Sequence, residues 1–311
     1  MAEIFSNEKL SRRVKRLVER IIEKESVVIH QLSESEAEQR SYYRLLHHPR
    51  LETSQIIAYL QQDCQRQLEA GAHYLVFQDT TQPNLERNRG NIADQQQLGV
   101  IGDQQSLGFF LHPALVVAAD SGRCLGYSAV HTWSREATGL DKEQRQYKQQ
   151  PMEEKESHRW LAVAQQSQQV LQKAGQLTVV CDREGDIGEL FLRVPDAQTQ
   201  LLVRSSSDRK LAGRSAKLSG VLAALPEGGR YCFPLAADAR TGRVGREATL
   251  SVRWTKVALL LKGQAKELYV VEAREEGAPA GQKPLYWRLL TSHVVENCEQ
   301  ARELINWYTG I

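Results

Sequence analysis

His73-Tyr74-Leu75-Val76-Phe77-Gln78-Asp79-Thr80-Thr81 and Gln176-Leu177-Thr178-Val179-Val180-Cys181-Asp182-Arg183-Glu184-Gly185-Asp186 decide how this chain folds. Each begins as an apolar run with aromatic or β-branched residues, the composition of a strand covered on both faces. Each then ends on an aspartate set in a polar cluster. A carboxylate at the end of such a strand faces the rim of an α/β sheet, where loops and ligands meet. If the two strands are neighbours, Asp79 and Asp182 converge, and two like charges that close need a proton or a cation between them. Mg²⁺ or Mn²⁺ suits carboxylate oxygens. The alternative is that each aspartate caps the element after it, which also fits Asp182.

Composition sets outer bounds. A chain of 311 residues, 41% hydrophobic and 25% charged, has room for one large globular domain or two ordinary ones. No run approaches a membrane span and the first residues lack a signal-peptide layout, so the expected location is cytoplasmic. Cys64, Cys124, Cys181, Cys232 and Cys298 are scattered and odd in number, without the paired spacing of a zinc site or disulfide framework. The net charge of +2 announces no polyanionic partner, but its distribution is uneven. Lys9, Arg12, Arg13, Lys15, Arg16, Arg20 and Lys24 crowd the first helix, and Arg204, Arg209, Lys210, Arg214 and Lys217 follow the second acid strand. Basic residues near a carboxylate site suit a polyanionic substrate; a solvated surface is the alternative for each cluster.

Residues 6 to about 70 read as three helices, with Ser6 as a cap, a Ser33–Glu36 capping box, a break at Pro49 and an end at Gly71. Such a unit either binds DNA or covers a sheet edge. Beyond the first acid strand, Gln82 to Gln105 reads as a surface loop. Leu107–Val117 and Cys124–Trp133 read as a hairpin around Asp120-Ser121-Gly122. Thr138 to Glu156 reads as an exposed excursion and Glu156 to Ala174 as a helix. The second acid strand, a helix through Ile187 and a strand over Gln200–Arg204 follow. Residues 205–283 read as an antiparallel β insertion, with strand segments Tyr231–Phe233, Ala248–Trp254, Val257–Leu261 and Leu268–Ala273. A strand to Thr291 and a closing helix from Glu296 to Trp307 end the pattern, a mixed α/β layout. His112 and His131 read as structural histidines within strands.

The order of these features resembles the DDE transposases of bacterial insertion sequences, of the group that includes the transposase of the composite kanamycin-resistance transposon. The resemblance rests on Gln78-Asp79-Thr80-Thr81, Cys181-Asp182-Arg183-Glu184-Gly185-Asp186-Ile187, Tyr286-Trp287-Arg288-Leu289-Leu290-Thr291, and the smaller matches Leu111-His112 and Lys155-Glu156-Ser157-His158-Arg159-Trp160. It implies a helical N-terminal DNA-binding domain (1–70) and an RNase H-like core (71–204). A β-strand insertion (205–283) and the core strand with the start of its closing helix (284–311) complete it. It further implies Asp79 and Asp182 as catalytic, metal-holding carboxylates for Mg²⁺ or Mn²⁺, and metal-dependent cleavage and strand transfer of DNA. DNA contacts are implied for Trp287, stacking on a flipped base, for Arg204, Arg209 and Lys210 on phosphates, and for Tyr308, Arg40 and Arg44. The implied partners are double-stranded DNA at transposon terminal repeats and a second copy in a synaptic homodimer, in a nucleoid-associated bacterial protein with no membrane.

The family's third carboxylate lies in the motif Tyr-x-x-Arg-x-x-x-Glu-x-x-x-x-x-x-Lys. Tyr308 stands 21 residues after Trp287, where that motif begins, but the Arg position is Ile311 and the sequence ends there. Glu299 and Glu303 sit one or two turns too early to replace the missing glutamate. The expectation is a C-terminally truncated, catalytically impaired transposase. A non-catalytic transposon-end DNA-binding protein or inhibitor, and an unrelated metal-dependent phosphoesterase, remain as alternatives.

Overall fold

The computed structural model describes residues 8–136, 151–213, 215–239 and 242–310. The expected Ser6 cap, Arg214 and most of the excursion from Thr138 lie outside them. The chain divides into two compact units, residues 1–66 and 67–311.

The first unit holds α1 (Glu8–Lys24), α2 (Ile29–Leu32), α3 (Glu36–Leu46) and α4 (Thr53–Arg66). Leu10 and Leu17, two turns apart on α1, pack with Leu32, Tyr42 and Leu45 into a small core. The capping box sits two residues later than the sequence reading placed it. Ser35 accepts from the Glu38 amide, and the Glu38 carboxylate accepts from the Glu34 amide. Two Ser-x-x-Glu frames overlap here. Ser33 is taken up instead by its hydroxyl donating to the Ile29 carbonyl, which ends α2.

The second unit is built on one nine-stranded mixed sheet. Its elements in chain order are β1 (His73–Gln78), β2 (Gly99–Val100), β3 (Leu107–Gly108), β4 (Phe110–Ala118), β5 (Cys124–Trp133), α5 (His158–Val170), β6 (Gln176–Cys181), α6 (Gly188–Arg193), β7 (Thr199–Arg204), α7 (Leu218–Ala224), β8 (Gly229–Leu235), β9 (Arg246–Leu261), β10 (Gln264–Glu276), β11 (Tyr286–Thr291) and α8 (Cys298–Thr309). The sheet order is β5-β4-β1-β6-β7-β11-β10-β9-β8, with β2 and β3 as a separate ribbon. β1, β6 and β7 run parallel; the remaining pairs are antiparallel. Two expected segments, Ala248–Trp254 and Val257–Leu261, are one 16-residue strand, β9. Residues between them pair with β10 without a break, so no turn intervenes. Through β10 and β11 the expected insertion continues the main sheet, and it also contains a helix, α7, that periodicity did not reveal.

One face of the sheet is covered by α8, whose Ala301, Leu304 and Ile305 join Leu75, Val180, Leu202, Leu289 and Trp287 in a core. On β4, His112 meets the indole of Trp160 from α5 edge-to-face at 4.5 Å. All five cysteines are free thiols. Among the described residues no helix is long and apolar enough to cross a membrane.

Under α8, the Thr178 hydroxyl lies 2.8 Å from His73 Nε2 and 2.7 Å from His293 Nε2, and Trp307 packs on both imidazoles. The one hydroxyl proton can be donated to only one ring, which must be neutral to accept it, while the other ring donates to the hydroxyl oxygen. Burial pushes both histidines down, His293 to about 4. The unfolded chain takes up these protons near pH 6.5 and the folded chain does not. Their contribution is therefore complete above about pH 6.5 and is lost as pH falls toward 4. Thermal melts should show the melting temperature falling from pH 7 to 5, with a shallower fall in His293→Asn.

Candidate active site

The parallel register of β1 and β6 matches Gln78 with Cys181, so Asp79 and Asp182 are the next residues on two adjacent strands. Neighbouring strands lie about 4.8 Å apart. The two carboxylates therefore meet at the rim, as the sequence reading required. Desolvation raises the Asp79 carboxyl pKa, the Thr80 amide opposes, and the charge of Asp182 raises it further. Asp182 also does what the alternative reading asked. Its Oδ1 accepts from the Glu184 amide at 2.8 Å and caps a 3₁₀ turn over Arg183–Gly185. Asp79 Oδ1 accepts from the Thr80 amide at 2.7 Å. Among the described residues neither carboxylate forms an ion pair.

A divalent cation fits this pair. Mg²⁺ is commonly held by one or two carboxylates and completes its shell with waters and substrate phosphates. Among the described residues no set of three or more His, Cys, Asp or Glu side chains is arranged for a metal. Two carboxylates are thus the whole protein contribution found there. Glu303 lines a cavity with His73, at the opposite end of β1 from Asp79, so it does not supply a third.

The next strand brings a cation. Cys181 pairs with Val203, so Arg204 follows beside Asp182. Its guanidinium lies 6.0 Å from the centre of the Tyr308 ring and donates to the Tyr286 carbonyl at 3.2 Å. Burial raises the Tyr308 phenol pKa, Arg204 opposes it, and the charge of Asp182 adds to it. Strand register thus gathers Asp79, Asp182 and Arg204 at one rim, with Tyr308 beside Arg204.

The other residues of the expected site lie differently. Trp287 is 8% exposed and packs edge-to-face on Phe233 at 5.2 Å. Its ring faces are enclosed in the core, so no base stacks on it in this conformation. Arg209 is committed to a buried pair: its Nε donates to Asp186 Oδ1 at 2.8 Å while Ser206 satisfies Oδ2. Lys210 is exposed, its backbone bridged to Lys217. Arg40 and Arg44 are exposed on α3 in the other unit, Arg40 paired with Glu36 at 3.0 Å.

Sequence reasoning missed the support behind Asp79. Gln78 is 3% exposed. With its amide turned so that Oε1 accepts from the Ala164 amide (3.2 Å), Nε2 donates to the Trp160 carbonyl and to His112 Nε2, each at 3.1 Å. His112 must then carry its proton on Nδ1 and donate it to Thr80 Oγ1, 2.8 Å away. Burial lowers the His112 pKa to about 3, with Arg159 adding, so the ring stays neutral. Arg159, at the start of α5, donates from Nε to Thr80 Oγ1 (3.2 Å) and from a terminal nitrogen to Glu184 (2.7 Å). One guanidinium thus ties the loop after Asp79 to the loop after Asp182. The Ser157-His158-Arg159-Trp160 string carried this signal, but only the fold reveals its partners.

No family model matches the chain. Among solved structures, the chain is similar to the NurA nuclease from Sulfolobus solfataricus over 86% of this chain and 84% of that chain, at 11% identity and a TM-score of 0.32. A likeness at that level identifies neither a family nor an activity.

Partners that orient metal ligands typically change affinity 10- to 100-fold. Arg159→Ala should therefore weaken Mn²⁺ binding about tenfold, read by electron paramagnetic resonance of free Mn²⁺. Trp287→Ala should cost about 3–5 kcal/mol in chemical denaturation, the range for deleting a buried aromatic.

Proposed function

We propose that this chain is a metal-dependent DNA-processing enzyme of the DDE transposase type, acting on phosphodiesters at the Asp79–Asp182 rim. The observation that supports it best is the adjacency of two strand-end carboxylates on parallel neighbours, with Arg204 beside them. The mixed sheet, with both acid strands inside it and helices on its faces, suits the RNase H-like core that the motifs imply. The finer reading is cleavage and strand transfer at transposon terminal repeats by a homodimer, with residues 1–70 engaging DNA.

The residues divide the work by charge. Asp79 and Asp182 would hold Mg²⁺ or Mn²⁺, which when bound supplies charge neutralisation for in-line displacement at phosphorus. Arg204 offers a planar donor fork to a phosphate next to the acids, and the Tyr308 ring packs beside it. Arg159 keeps both acid loops in register through Thr80 and Glu184. Thr80 takes the His112 proton on its hydroxyl, so its side chain is fixed and its amide stays aimed at Asp79.

A purified-protein assay on DNA carrying terminal repeats, with Mn²⁺ or Mg²⁺, tests the reading. Cleavage should require the cation. Asp79→Asn and Asp182→Asn should each lower it by more than the about 100-fold typical of outer-shell changes, while gel-shift binding persists. End binding without cleavage in the unaltered protein would favour the non-catalytic binding alternative, and hydrolysis of a small phosphoester without DNA preference would favour the phosphoesterase.

A further inference from the structure

At the edge of the sheet, β5 ends in a stack of rings. His131 lies on the indole of Trp133, centroids 5.5 Å apart and planes inclined by 23°, and Trp133 lies on Phe110 at 4.9 Å and 14°. His131 and Trp133 are two residues apart on one strand, so they project from the same face; Phe110 is the cross-strand partner of Trp133. Phe110 is buried and His131 is exposed, so the stack is a step with its outer ring open to solvent.

Cations flank it. The Arg135 guanidinium sits 4.2 Å from the Phe110 centroid and that of Arg159 5.0 Å from Trp133. Glu156 pairs with Arg135 and Glu184 with Arg159, which fixes both guanidinium planes against the rings. A cross-strand aromatic pair by itself stabilises an edge strand. Two observations point further. Aromatic faces interleaved with guanidinium groups are the pattern of surfaces that carry single-stranded nucleic acid. The Arg159 that packs on Trp133 also bonds Thr80, the neighbour of Asp79, so the stack borders the same rim as the acid pair.

We infer that His131 and Trp133 form a stacking subsite for an unpaired nucleobase of the DNA strand whose phosphates reach the acid pair. The inference rests on the phosphodiester reading above. It gives the site an exposed ring for base stacking, where Trp287 is enclosed. Partial burial lowers the His131 pKa, with Arg159 and His158 adding, and its exposed ring offers a face to a base.

Fluorescence anisotropy with the full chain tests it, in EDTA so that catalysis plays no part. The probes are a labelled oligothymidylate and an abasic oligonucleotide of equal length. Stacking of one base should make the oligothymidylate bind about tenfold more tightly than its abasic counterpart. His131→Ala should remove most of that ratio, while His131→Phe keeps it, and both variants should bind the abasic strand as the unaltered protein does. No base preference in the unaltered protein, or an unchanged ratio in His131→Ala, overturns the inference. Equal loss of the ratio in His131→Phe overturns it as well. Weakened abasic binding in both variants would mark a structural role and also overturn it. Base preference that persists in a chain unable to cleave DNA would sink the enzymatic reading and leave the subsite standing.

Discussion

The in-register parallel pairing of β1 with β6 is the constraint on which the rest depends. Side chains alternate along a strand, so a slip of one residue would turn the apolar set of β1 to the wrong face and move Asp79 away from Asp182. The register is held from both sides. Leu75 and Val180 belong to the core under α8, while Gln78 reaches Trp160 and Ala164 of α5 on the other side. The same hydrophobic burial that fixes the strands therefore forces two negative charges together at their ends. That repulsion is tolerable at the rim, where water or a cation can answer it, and would not be one residue deeper.

Gln78 shows how the fold turns a buried polar group into a positioning device. A half-satisfied polar network in a core costs more than an apolar one, so such a group persists only with its partners in place. Here the amide meets a helix carbonyl, a helix amide and an imidazole, and the imidazole passes the orientation on to Thr80. Asp79 itself is exposed, yet the residue on each side of it is tied down. The carboxylate can face solvent and still be held.

The two acid strands, the hairpin of β4 and β5, the helix α5 and the strand β11 were legible in the sequence because each couples a clear period to clear punctuation, such as Asp120-Ser121-Gly122. β9 was divided in two because Thr255-Lys256 looks like a turn when its cross-strand partners, Tyr269 and Val270, are unknown. α7 was missed because seven residues with a glycine among them carry little periodicity. At the rim, the adjacency of Asp79 and Asp182 was readable because each ends a clearly apolar strand. Arg159 and His112 were not, since their roles exist only through partners distant in sequence. The enclosure of Trp287 was equally invisible, because a tryptophan in an apolar strand reads the same whether its face is open or covered.

Basic clusters misdirect for a related reason. Counting Lys and Arg after the second acid strand groups Arg204 with Arg209, but the fold separates them. Arg209 spends its guanidinium on Asp186, whose side chain is fully buried, and that pair locks the loop after β6 to the chain after β7. Removing either partner would strand a buried charge, so this arginine answers to stability first. Among the described residues Arg204 has no such ion-pair partner, and it follows Val203, the register mate of Cys181. The cation that matters beside a carboxylate site is thus selected by strand register, not by local charge density. The same argument applies to the first helix, where Arg12, Arg16 and Arg20 each meet a glutamate. In residues 1–66, a basic face in sequence becomes a surface of mixed sign once acids on α1 and near α3 fold against it.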